Sequence, residues 1–168
     1  MLGVLKGKKL RKRAKDLVEL TKKDGLQPGD PRWDGTPATH CNEYAYEAAT
    51  MLGYDPYPLL NPKGIGWTSA NDMYRNAIRA MVDEELKTWD YDKAQDAANR
   101  GRFILAIAFN IYDGSGHIAV IQRHIGLFSY RFGPRIVQAG ADNGEFWLNE
   151  IFNLTTLTPP IFIELKKR

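Results

Sequence analysis

The 168-residue chain has a single cysteine, Cys41, so it cannot close a disulfide within itself. Disulfide use therefore gives no indication of an oxidising or a reducing compartment. Long apolar runs are also missing. The longest, Phe103 to Phe109, falls far short of the roughly 18–20 residues that span a bilayer and has the length of a buried strand. The chain has no His-Glu-x-x-His, no Cys-x-x-Cys, no Gly-x-Ser-x-Gly and no Gly-x-x-x-x-Gly-Lys. Zinc, serine-hydrolase and nucleotide chemistry thus lack their usual carriers, and no metal or organic cofactor is expected. Asp142-Asn143-Gly144-Glu145 lacks the alternating oxygen ligands of a calcium loop and reads instead as a hairpin turn.

Apolar residues make up 43% of the chain and charged residues 26%, with four Trp, eight Tyr and seven Phe. That is enough to fill the interior of one ordinary domain. The net charge of +3 describes no part of the chain well. Residues 1–23 hold nine Lys or Arg against Asp16 and Glu19, whereas the rest hold 14 against 18 acidic residues. The basic cluster Lys6 to Arg13 interrupts any apolar core of a secretory signal, so none is read at this end. Leu10, Ala14, Leu17 and Val18 fall at helical spacing, which makes residues 1–25 a basic amphipathic helical segment that Gly25 would end. Pro28, Gly29, Pro31, Gly35 and Pro37 then form a connecting loop into a main domain over residues 26–168.

Thr39 can cap a helix that opens with His40, Cys41 and Asn42, runs through Tyr44, Ala45, Ala48 and Leu52, and stops at Gly53. A Pro- and Gly-rich loop follows. Ser69 to Glu85 reads as a second helix with Met73, Ala77, Ile78 and Met81 on one face, and Asp92 to Asn99 as a short third one. Beyond Gly101 the period changes. Arg102 to Asn110, His117 to Gln122, Arg135 to Ala139 and Ile161 to Leu165 read as strands, with Gly114-Ser115-Gly116 and Asp142-Asn143-Gly144 as turns. Helices first and strands afterwards predict an α+β domain, its N-terminal helices packed on a central antiparallel sheet.

A thiol acts as a nucleophile through its thiolate, which the unpaired N–H groups and dipole of a first helical turn favour. Cys41 is expected in such a turn, although a lone cysteine is also commonly a small buried packing residue. His117 follows a Gly-Ser-Gly turn and opens an apolar strand, with Ala119 and Ile121 on its face, where it can meet a helix N-terminus. A sheet-edge histidine with purely structural bonds is the plainer alternative. A helix-borne Cys followed 76 positions later by a strand-borne His is how a nucleophile and its base are presented. Gln138, the polar residue of Ile136-Val137-Gln138-Ala139, can accept a ring N–H of His117 and fix its tautomer; Asn143 is the reserve for that role. The second donor to an oxyanion can come from His40, Asn42 or the Trp33-Asp34 loop. Trp33, Trp67 and Tyr57 lie in loops where aromatic rings can either line a groove or anchor the loop.

Thr39-His40-Cys41-Asn42-Glu43-Tyr44, then Gly116-His117-Ile118-Ala119-Val120-Ile121, then Gln138-Ala139-Gly140 together resemble the NlpC/P60 and CHAP group of papain-like peptidoglycan hydrolases. The resemblance covers roughly residues 36–140. It implies a papain-like fold and cleavage of amide bonds in cell-wall peptides. Cys41, His117 and Gln138 would be catalytic, and Asn42, Trp67 and Trp33 would contact a peptidoglycan or peptide substrate. A monomer is expected, and the location is left open between the cell envelope or secretion, if a signal was removed, and a phage or the cytoplasm. The other reading is a catalytically inactive module of the same fold. In that case the basic N-terminal segment docks on nucleic acid, anionic lipid or wall polymer.

Overall fold

Phe103-Ile104-Leu105-Ala106-Ile107-Ala108 has no polar position, and a strand without alternation needs cover on both faces. In the computed structural model these residues form β2 (Phe103–Ala108), and all six are buried. The structure describes residues 41–57, 59, 69–83, 85–112, 116–126, 128–139, 143–152 and 157–168. The other strands are β1 (Lys87–Trp89), β3 (His117–Ile121), β4 (Arg135–Ala139), β5 (Asn143–Trp147) and β6 (Ile161–Leu165). They make one six-stranded sheet in the order β1-β6-β2-β3-β4-β5, and every neighbouring pair is antiparallel. The α+β class expected from the chain order is the one observed.

Helices α1 (Cys41–Met51) and α2 (Ala70–Val82) cover one face of the sheet, while α3 (Tyr91–Asn99) and α4 (Leu148–Ile151) lie on the other. Tyr44, Ala45, Ala48 and Ala49 of α1 pack with Met73 and Ala77 of α2 against Leu105, Ile107, Ile118, Val120, Val137 and Ile163. Alanines on the helix side let its backbone approach the sheet closely. The opposite core joins Ala94, Ala97 and Ala98 of α3 to Ile104, Ala106, Ala119, Ile121 and Ile136. Each fully buried Ile or Leu in these layers contributes about 1.5–3 kcal/mol.

Ser69 caps α2, its hydroxyl accepting from the Asp72 backbone N–H at 3.1 Å. The buried stripe of α2 is Ala70, Asn71, Met73, Ala77 and Ala80. Ile78, expected on that face, is 37% exposed, because residues 70, 73, 77 and 80 already complete the stripe and leave 78 at its margin. Three elements were not anticipated: β1, β5 and α4. The Asp142-Asn143-Gly144 turn reading needs correction, since Asn143 pairs with Ala139 and Gly144 with Gln138 as the opening of β5. Gly144 does so at φ 129°, which glycine adopts without strain.

The expected basic helical segment over residues 1–25 and the loop after it lie outside the described residues. Among the described residues no helix is long and apolar enough to cross a membrane.

Candidate active site

His117 is the first residue of β3 and Gln138 the fourth of β4. Alternation along the strands puts both on the face of Ala119, Ile121 and Ile136. Cys41 opens the described part of α1 and belongs to the core beneath the other face. The thiol nevertheless hydrogen-bonds His117. His117 stands at the first position of its strand.

The imidazole is held on its other side by Gln138, whose Oε1 lies in hydrogen-bond contact with Nε2 of the ring. Gln138 is only 2% exposed, so its amide is fixed by packing, and Oε1 can only accept. Nε2 therefore carries the ring proton, leaving Nδ1 as the nitrogen that can take a proton from the Cys41 thiol. Burial pushes the His117 pKa down. The hydrogen bond and negative charge offered by Cys41, together with the bond to Gln138, outweigh it, and the net direction is upward from the ordinary histidine range.

Three further residues shape the site. The Phe152 ring packs edge-on against the imidazole, with centroids 5.1 Å apart. A Cβ on Gly116 would collide with Asn71 Oδ1 and lie 2.8 Å from the Ala108 carbonyl oxygen, so only glycine leads the chain into His117 at this spacing. Tyr44 lies three residues, about one helical turn, beyond Cys41, fully buried. Burial, and secondarily the Glu145 carboxylate, raise its phenol above the ordinary tyrosine range. Among the described residues the Tyr44 hydroxyl has no hydrogen-bond partner.

The structure thus brings Cys41, His117 and Gln138 together. Asn42 follows Cys41 and is half-buried. Asn143 is in β5 by its main chain, while His40, Trp33 and Trp67 lie outside the described residues. Cys41 itself is 2% exposed. Phe152 was missed in the sequence because the four-residue helix that it follows is too short to show a period. Tyr44 was visible at i+3 from Cys41 but was read only as part of the helix. Among the described residues no group of three or more His, Cys, Asp or Glu side chains could hold a metal ion. No protein-family model matches the chain, and no curated protein matches it significantly.

Proposed function

We propose that the chain is a papain-like cysteine hydrolase that cleaves amide bonds, in the manner of the NlpC/P60 and CHAP group. The observation that carries this reading is the relay of Cys41 to His117 to a buried Gln138. Nδ1 of His117 takes the Cys41 proton as Sγ attacks the substrate carbonyl, forming a C–S bond and a tetrahedral oxyanion. The backbone N–H of Cys41, with Asn42 or His40 beside it, is the natural donor to that oxygen. Collapse expels the amine, which takes the proton back from His117, and leaves a thioester on Cys41. Water, deprotonated by His117, then releases the acid and restores the thiol. Gln138 holds the ring throughout without reacting.

The substrate class follows from the resemblance: peptide amides of bacterial peptidoglycan. Residues 26–168 would form the hydrolase domain and residues 1–25 a basic arm for an anionic polymer. One observation favours the second reading, an inactive binding module, and that is the 2% exposure of Cys41. Digestion of purified peptidoglycan, with mass analysis of the fragments, decides between them. Amide cleavage by the parent chain and none by Cys41→Ala is the expected result. Cleavage that survives Cys41→Ala, or wall binding without any cleavage by the parent, rejects the hydrolase.

A further inference from the structure

No Asp or Glu falls between Asp113 and Asp142, whereas Arg123, Arg131 and Arg135 all do, in a stretch of chain from residue 24 onward that is otherwise more acidic than basic. Arg123 and Arg131 lie in the connection from β3 to β4, and Arg135 opens β4 opposite Trp147, the last residue of β5. Ring contacts join these groups into one surface. The Arg131 guanidinium lies 5.3 Å from the centre of the Phe132 ring and that of Arg135 5.0 Å from the centre of a Trp147 ring, while the Phe132 and Trp147 rings are 5.8 Å apart. Tyr130 stacks on Tyr91 of α3, centroids 6.2 Å apart. Arg123 and Arg131 are exposed, Tyr130 is 70% and Phe132 40% exposed, so charge and ring surface both face solvent. Glu145 lies 4.0 Å from Arg135, Asp92 accepts from the Tyr130 hydroxyl at 3.4 Å, and Glu150 accepts from the Trp147 backbone N–H at 2.7 Å. Among the described residues neither Arg123 nor Arg131 is ion-paired.

The connection that carries these side chains is tied to its surroundings. Asn149 donates from Nδ2 to the Arg131 carbonyl at 3.0 Å and from its backbone N–H to the Phe132 carbonyl at 3.2 Å, and the Gly133 N–H donates to the Ser129 carbonyl at 2.8 Å. Groups on a fixed frame lose less freedom when a ligand arrives. A guanidinium beside a ring keeps its N–H edge for a phosphate, in a fork geometry that lysine lacks. A phosphate alone would satisfy the arginines and leave the rings unused, whereas an unpaired nucleotide brings both a phosphate and a flat face to stack. A duplex keeps those faces within its own stack. We infer that this surface binds single-stranded nucleic acid, with phosphates on Arg123 and Arg131 and bases on Tyr130 and Phe132. It lies at the end of β3 away from His117, a strand of five residues and roughly 15 Å. The binding is therefore separate from the proposed hydrolase chemistry and does not rest on it.

The basic residues 1–23 can attract any polyanion, so the test needs a readout local to this surface. The Trp147 indole N–H resonance, assigned by its loss in Trp147→Phe, is followed as oligo(dT) is added to the full chain, and is expected to shift saturably. Anisotropy of fluorescein-labelled oligo(dT) then gives the affinity of the parent and its variants, with inorganic polyphosphate as a competitor that has charge and no bases. Tyr130→Ala combined with Phe132→Ala should weaken oligo(dT) binding by about tenfold and leave polyphosphate binding unchanged. Arg123→Gln combined with Arg131→Gln, both on exposed side chains, should weaken both ligands and lower the slope of log affinity against log salt by roughly 1.4. Binding that leaves Trp147 unmoved, an oligo(dT) affinity indifferent to either pair of substitutions, or no binding at low salt overturns the proposal. Ile125, 89% exposed on the same connection, makes an anionic lipid surface the alternative. Vesicles of phosphatidylserine and phosphatidylcholine that shift Trp147 while oligo(dT) does not would decide for it and against nucleic acid.

Discussion

His117 is held between opposing effects: burial disfavours its charge, while the Cys41 thiol and the Gln138 amide favour it. Removing the thiol leaves burial opposed by Gln138 alone. The imidazole pKa followed by NMR should therefore lie above the ordinary range in the parent and fall in Cys41→Ala; an unchanged value would mean that the two side chains do not interact. A raised folded-state pKa means that the proton is bound more tightly in the native state. The stability it lends is complete below the unfolded value of about 6.5 and is lost as pH rises through the folded value. Gln138 acts through His117, so Gln138→Ala should lower kcat by about 10–100-fold, less than losing Cys41 or His117. Gln138→Glu should retain or raise activity, since a carboxylate accepts the same bond and better stabilises imidazolium. The same assays rank Asn143→Ala below Gln138→Ala, and the reverse order would move the orienting role to β5. His117 and Gln138 were legible because each is a polar exception within an apolar strand, and Cys41 because it is the single thiol, at the start of a readable helix. Phe152 was not, because its place beside His117 comes from a contact across a long sequence separation.

Rigidity at the site comes from how the strands are tied. At the end of β3 and β4 away from His117, Gln95 of α3 donates to the Gln122 carbonyl at 2.8 Å and accepts from the Arg135 backbone N–H at 2.7 Å. Its amide is 4% exposed. Gln95→Leu would leave a half-buried N–H and a carbonyl without this partner, a loss of about 1 kcal/mol that should appear as a lower Tm. A Tm equal to that of the parent would show that water replaces both bonds. Elements with a strong period or an unbroken apolar run, α2, β2 and β3, were readable. β5 was not, because Asn-Gly is a turn signal that here falls at the first residues of a strand, and its pairing with β4 is set by a partner and not by its own composition. β1, three residues long, is fixed by β6 in the same way.

At the scale of the molecule, a sheet sealed by helices on both sides leaves its strand ends as the places for chemistry, and His117, the partner of Cys41, stands at such an end. The α+β class was readable from the order of periods, whereas the sharing of helices between two faces was not, since α3 and α4 carry too little pattern to assign a side. Deleting residues 1–23 should leave turnover of a small soluble peptide nearly unchanged, because Cys41, His117 and Gln138 all lie beyond them. If that basic segment holds wall polymer, retention should fall on deletion and weaken steeply with salt. Salt-independent retention by the truncated chain would remove that role. The central claim is that Cys41 and His117 form one reactive pair, and the rate of Cys41 alkylation by iodoacetamide against pH measures it directly. The pair predicts rapid labelling of the folded parent at near-neutral pH, and in His117→Ala a profile displaced towards the roughly 8.5 of a free thiol. A folded parent that resists labelling, or a profile that His117→Ala leaves unchanged, would contradict it.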